Sequence, residues 1–75
     1  MEYEIKCNAP KFERHKTYVS DAIAKCDFFS LLAQFEARGY NVKTFFRNSS
    51  PMRGRIQVEI DGFFYYVELF KTKDL

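Results

Sequence analysis

Few residues in this chain have the chemistry for catalysis. His15 is the only histidine, so no paired-His metal site can form within one chain, and a His in the basic run Arg14-His15-Lys16 reads as solvated. Cys7 and Cys26 match no zinc or dithiol spacing. No local spacing suggests a nucleophile–His–acid set, and no glycine-rich stretch could cradle a phosphate. Glu59 and Glu68 could come close on neighbouring strands, but carboxylates on a strand face usually meet Arg or Lys. The expectation is a protein without catalytic residues, metal or cofactor. What the sequence offers instead is aromatic and cationic. Phe45, Phe64, Tyr66 and Phe70 are spaced by strand alternation so that they share a face with Lys43, Arg47 and Arg55, and Arg53 lies just before that last strand run. Rings and guanidinium groups of that kind are the residue types enriched at binding hot spots.

Charge patterning agrees. The chain of 75 residues has a formal net charge of +2, too small to imply nucleic-acid binding alone. Yet no acidic residue falls between Glu36 and Glu59, while Arg38, Lys43, Arg47, Arg53 and Arg55 all do. The implied partner is acidic.

These side chains need a sheet to hold them. Asp61-Gly62 between alternating apolar runs is a strong hairpin signal, because a type I′ turn needs φ > 0 at both central residues. A two-residue loop sets Ile60 opposite Phe63, Val58 opposite Tyr65 and Ile56 opposite Val67. Residues 41–47 read as a strand with Val42, Thr44 and Phe46 on one face. Residues 2–7 alternate in the same way, with Tyr3, Ile5 and Cys7 inward. The segment 48–54 reads as a turn-rich loop that includes Gly54, and 71–75 as a frayed tail.

Between the first strand and the meander lies one helix. Phe28, Leu31, Leu32 and Phe35 form its apolar stripe, and Gly39 suits the position just past its end. Two caps compete for its start: Ser20 for a helix over 21–38, which Ala24 would extend along the same stripe, and Asp27 for a short one. The longer helix is favoured. Residues 11–19 could be an extra strand or a surface loop.

The expected fold is α+β: a single domain over 1–75, with one main helix on one face of a mainly antiparallel sheet of 3–5 strands, in β-α-β-β-β order. Nine Phe and five Tyr suit so small a core, since each ring can bury roughly 150–250 Å². Both cysteines are expected to be reduced and at least partly buried. The absence of a signal-like segment or an apolar run long enough to cross a membrane points to the cytoplasm.

One helix covers one face only. Either residues 8–19, with Phe12 and Tyr18, fold across the second face, or that face is open. If open, it suits three occupants: a protein partner with an acidic surface, a second copy of the chain, or a single-stranded nucleic acid whose bases stack on the rings. The run Gly62-Phe-Phe-Tyr-Tyr-Val67 resembles the aromatic strand of RNA-recognition modules, although the hairpin register turns Phe63 and Tyr65 to the helix side and no second helix is evident. In size and lack of catalytic residues the chain is similar to small phage and mobile-element accessory proteins that bind and inhibit host complexes, a likeness of kind that no motif carries. The favoured expectation is stoichiometric protein binding through Phe45, Arg47, Arg53, Arg55, Phe64, Tyr66 and Phe70.

Overall fold

The computed structural model describes residues 2–72. The chain runs through β1 (Tyr3–Cys7), β2 (Arg14–Tyr18), α1 (Asp21–Ala37), β3 (Asn41–Arg47), β4 (Arg53–Ile60) and β5 (Phe63–Lys71). The strands form one five-stranded sheet in the order β2-β1-β5-β4-β3. Every neighbouring pair is antiparallel, and α1 packs on one face. This is the α+β arrangement expected, with residues 14–18 supplying the extra strand.

The hairpin register is the expected one: Ile60 pairs with Phe63, Val58 with Tyr65 and Ile56 with Val67. Its turn holds Asp61 at φ 53° and Gly62 at φ 84°. A Cβ at Gly62 would meet nothing within 4 Å, so the cost of a side chain there is conformational alone. Gly62→Val should therefore lower stability by about 1–3 kcal/mol, read as a drop in melting temperature; an unchanged melting temperature would contradict the turn assignment.

Both ends of α1 are fixed by local chemistry. Ser20 is the N-cap, and its Oγ accepts the Ile23 N–H at 3.3 Å. At the other end Gly39 sits at φ 75°. The Gly39 N–H reaches the Glu36 carbonyl at 3.0 Å and the Tyr40 N–H reaches that of Phe35 at 3.2 Å. This pair of bonds is a Schellman motif, completed by the Phe35 and Tyr40 rings, whose centroids lie 6.4 Å apart.

The core lies between α1 and the sheet. Ala24, Phe28, Leu31 and Phe35 from the helix meet Tyr3, Ile5, Ile56, Val58, Val67 and Leu69. Leu32 and the strand residues Val42, Phe46, Ile60 and Tyr65 are only partly buried against it. Phe63, on the helix face by register, is 67% exposed because it lies at the hairpin tip, outside the core cluster.

Three sequence expectations need correction, and one alternative left open is decided. Residues 8–19 do not cross the second face. Residues 8–13 turn, through Lys11 at φ 71° and a bond from the Phe12 N–H to the Ala9 carbonyl at 3.0 Å, into β2 at the sheet edge. Phe12 and Tyr18 are consequently buried on the helix side, Phe12 edge-on to Phe35 with centroids 4.9 Å apart. Gly54 is not a loop residue; it is buried in β4 opposite Phe46 and Leu69. Cys7 is buried but Cys26 is exposed, and both are free. Of the expected tail, Lys71 belongs to β5 and the Thr72 N–H bonds the Glu2 carbonyl at 3.0 Å; residues 73–75 lie outside the described range.

Asp27 caps nothing, since it lies inside α1. Its carboxylate accepts hydrogen bonds from the Tyr18 hydroxyl and from Arg14 Nη1, the latter at 2.7 Å, and so ties β2 to the helix. Burial alone would raise the Asp27 carboxyl, but the Tyr18 hydroxyl and the Arg14 guanidinium outweigh it and hold the carboxyl below its ordinary value. Burial, then the Asp27 charge, pushes the Tyr18 phenol up to about 12. The two shifts act on opposite limbs of the pH profile. Asp27's contribution is present above its ordinary value and is lost as pH falls through the depressed one. Tyr18's is present below about pH 10, the unfolded value, and is lost as pH rises through about 12. Tyr18→Phe should remove the alkaline component, leaving the variant with a shallower loss of stability between pH 10 and 12 than wild type; identical alkaline limbs would contradict it.

Candidate binding face

Among the described residues, no element covers the side of the sheet away from α1. Strand alternation puts Phe64, Tyr66, Glu68 and Phe70 of β5 on it, beside Arg53, Arg55, Gln57 and Glu59 of β4 and Asn41, Lys43, Phe45 and Arg47 of β3. On the other flank β1 adds Glu4 and Lys6, and β2 adds His15 and Thr17. Every residue that the sequence nominates for binding therefore shares this face. Phe45 and Phe64 are more than half exposed, at 57% and 55%, while Tyr66 and Phe70 are half-buried.

Register decides who meets whom. Phe45 lies directly opposite Arg55, and Arg55 is also opposite Glu68, which in turn faces Lys6. The Arg55 guanidinium lies 4.5 Å from the centre of the Tyr66 ring, and Lys6 Nζ is 5.6 Å from that of Phe70. Such cation–π contacts fix the long side chains while leaving their charge toward solvent. Tyr66 is held from behind as well, because its N–H bonds Asn8 Oδ1 at 3.0 Å. Phe64 stands apart from the cations, in the same row as Glu59 and Asn41.

The most informative pair is Arg47 and Arg53. They sit directly opposite one another on β3 and β4. Like charges in that relation destabilise a sheet, so the fold gains nothing from both being cationic. Arg47 Nη2 donates to the Pro51 carbonyl at 3.2 Å, which anchors the group at the mouth of the 48–52 loop. That loop is itself pinned: the Met52 N–H bonds the buried Tyr3 hydroxyl at 3.1 Å. A broad depression next to this corner is lined by Arg53, Phe70, Tyr66, Glu68, Lys6 and His15 among others. His15 is exposed and hydrogen-bonds Glu4.

Sequence reasoning missed the β1 and β2 contribution. Lys6 was recognisable as an outward position of an alternating strand, but nothing local says that β1 docks beside β5. Among the described residues, no group of His, Cys, Asp and Glu is placed to hold a metal ion, and no helix is long and apolar enough to cross a membrane. Comparison with known proteins adds no further guide: no family model, curated protein or solved structure matches the chain.

Proposed function

We propose that this chain is a non-enzymatic binding protein that takes an acidic protein surface on its open sheet face. The observation that carries the reading is the Arg47–Arg53 pair, two cations set directly opposite each other on an uncovered face beside exposed Phe45. A carboxylate from a partner would relieve that repulsion through charge-assisted, bidentate hydrogen bonds. The exposed rings of Phe45 and Phe64 supply apolar anchors, each worth roughly 1.5–3 kcal/mol when buried. Anchors of that size could offset association costs of several kcal/mol. A protein that works this way acts by occupancy, as a stoichiometric modulator of whatever complex displays the acidic surface.

A nucleic-acid strand fits this face less well. Glu4, Glu59 and Glu68 share it, and a phosphate chain crossing the middle of the sheet would pass over Glu68. The rings of Tyr66 and Phe70 already carry Arg55 and Lys6, so stacking bases would have to displace those cations first.

Affinity capture from lysate of the native source, with and without nuclease, separates these readings. The expected result is a protein retained after nuclease treatment, lost from a Phe45→Ala bait, and released as salt rises. Phe45→Ala should leave the stability within about 0.5 kcal/mol of wild type. Retention that disappears with nuclease, together with salt-sensitive binding of a labelled poly-pyrimidine strand, would replace the protein reading with the nucleic-acid one.

A further inference from the structure

The two edges of the sheet differ. On β2 the consecutive Arg14, His15 and Lys16 guard the edge, and the first two are already engaged, with Asp27 and Glu4. Charged side chains of that kind discourage another strand. The β3 edge has seven residues, pairs only with β4 among the described residues, and exposes most of its side chains. Outward-pointing backbone groups along such a strand are a template for strand addition.

The two sides of that edge have opposite character. Toward the open face it presents Lys43, Phe45 and Arg47, with Arg55 and Arg53 in the next strand directly behind the last two. Toward the helix it presents Val42, Thr44 and Phe46; the Phe46 ring meets the partly exposed Phe29 edge-on, with centroids 4.9 Å apart, and Lys25 Nζ lies 5.6 Å from its centre. Shallow depressions run along β3 on the open side, one of them lined by Lys43, Phe45, Arg55 and Gln57 among others. A strand added here would have alternate side chains in a cationic row and in a mainly apolar row interrupted by Thr44.

We propose that the β3 edge accepts an extended segment of the partner as a sixth strand, and that this segment alternates acidic and apolar residues. Its acidic side chains lie over Lys43 and Arg47, and its apolar ones pack against Val42, Phe46 and Phe29. This rests on the acidic-protein reading above and specifies how that partner engages. A second copy of the chain is the poorer occupant. Pairing β3 with β3 would gather Lys43 and Arg47 of both molecules along one seam, where an acidic strand would neutralise them.

The test uses the full chain and two seven-residue probes of equal composition. One alternates Glu and Val; the other has the Glu residues in one block and the Val residues in another. A third, alternating Lys and Val, controls for charge. The alternating Glu/Val probe should bind at least tenfold more tightly than either control. It should weaken as salt rises, and slow hydrogen exchange at backbone amides within Asn41–Arg47. Equal binding of the block isomer, or protection confined to β1 and β5, would overturn the inference. So would slowed β3 exchange in the protein alone at rising concentration, which would assign the edge to a second copy. Where a captured protein partner leaves β3 exchange unchanged, this inference fails and the proposed function stands; where no protein partner is retained at all, both fail.

Discussion

Phe28→Ala should cost the fold about 3–5 kcal/mol, and in a chain of 75 residues that is much of the total. At roughly 0.05–0.15 kcal/mol per residue, a protein of this size has on the order of 4–11 kcal/mol to lose. Phe28 is fully buried, and its ring packs against Phe29 and Phe46 with centroids 5.3 and 5.8 Å away. Beneath it lies Gly54, where an added Cβ would come within 2.7 Å of the ring. The ring fills space that only a glycine leaves open. Gly54→Ala alone should therefore destabilise by about 1–3 kcal/mol through overpacking. Combined with Phe28→Leu it should recover part of that loss, because the smaller side chain gives room to the new methyl. Denaturant unfolding of the two single variants and the double one measures the coupling. Additive losses would mean that Gly54 and Phe28 do not share this space.

That contact shows where sequence reading stops. The Ile60–Phe63 register, the Ser20 cap and the Gly39 stop were legible because each follows from chemistry within a few residues. Gly54 was not: its neighbour Phe28 belongs to a different element, and the Pro- and Ser-containing loop just before it makes Gly54 read as part of that loop. Asp27 shows the same limit. Its residue type suits a cap, but Ser20 had the better position, and the real partners of Asp27, Tyr18 and Arg14, come from a strand that pattern could not assign. Residues 14–18 carry so many charges because β2 is an edge, so the alternation that marks β1 is absent from them.

The binding face was legible for a related reason. Alternation alone puts Phe45, Arg47, Arg55, Phe64, Tyr66 and Phe70 on one side once the three strands are recognised; Arg53 joins them only because β4 begins at Arg53, within what reads as a loop. Whether that side was covered depended on where residues 8–19 go, which is a question of tertiary packing. The turn at Lys11 and the burial of Phe12 beneath the Arg38 guanidinium, 4.7 Å from the ring centre, answer it by sending the segment to the other layer. The pairing of Arg47 with Arg53 needed the register of two strands joined by a loop whose sequence does not fix the alignment.

Arg53→Glu carries the second large effect, and it acts on fold and binding in opposite directions. The new carboxylate would face Arg47 across the β3–β4 pair, replacing a repulsion by an attraction. Stability should hold or rise by about 0.2–1 kcal/mol. Binding to an acidic partner should fall by about 2–5 kcal/mol, since a matched charge is lost and a like charge takes its place. Few structural residues respond in this way: a substitution that harms binding by damaging the fold lowers both quantities.

The measurement that tests the binding face most directly is therefore a paired one on Arg53→Glu: the melting temperature of the variant, and its affinity for the protein captured by wild type. A melting temperature at or above that of wild type, with affinity reduced at least thirtyfold, is the expected result. Unchanged affinity in a folded variant would contradict the assignment of the Arg47–Arg53 corner to an acidic partner.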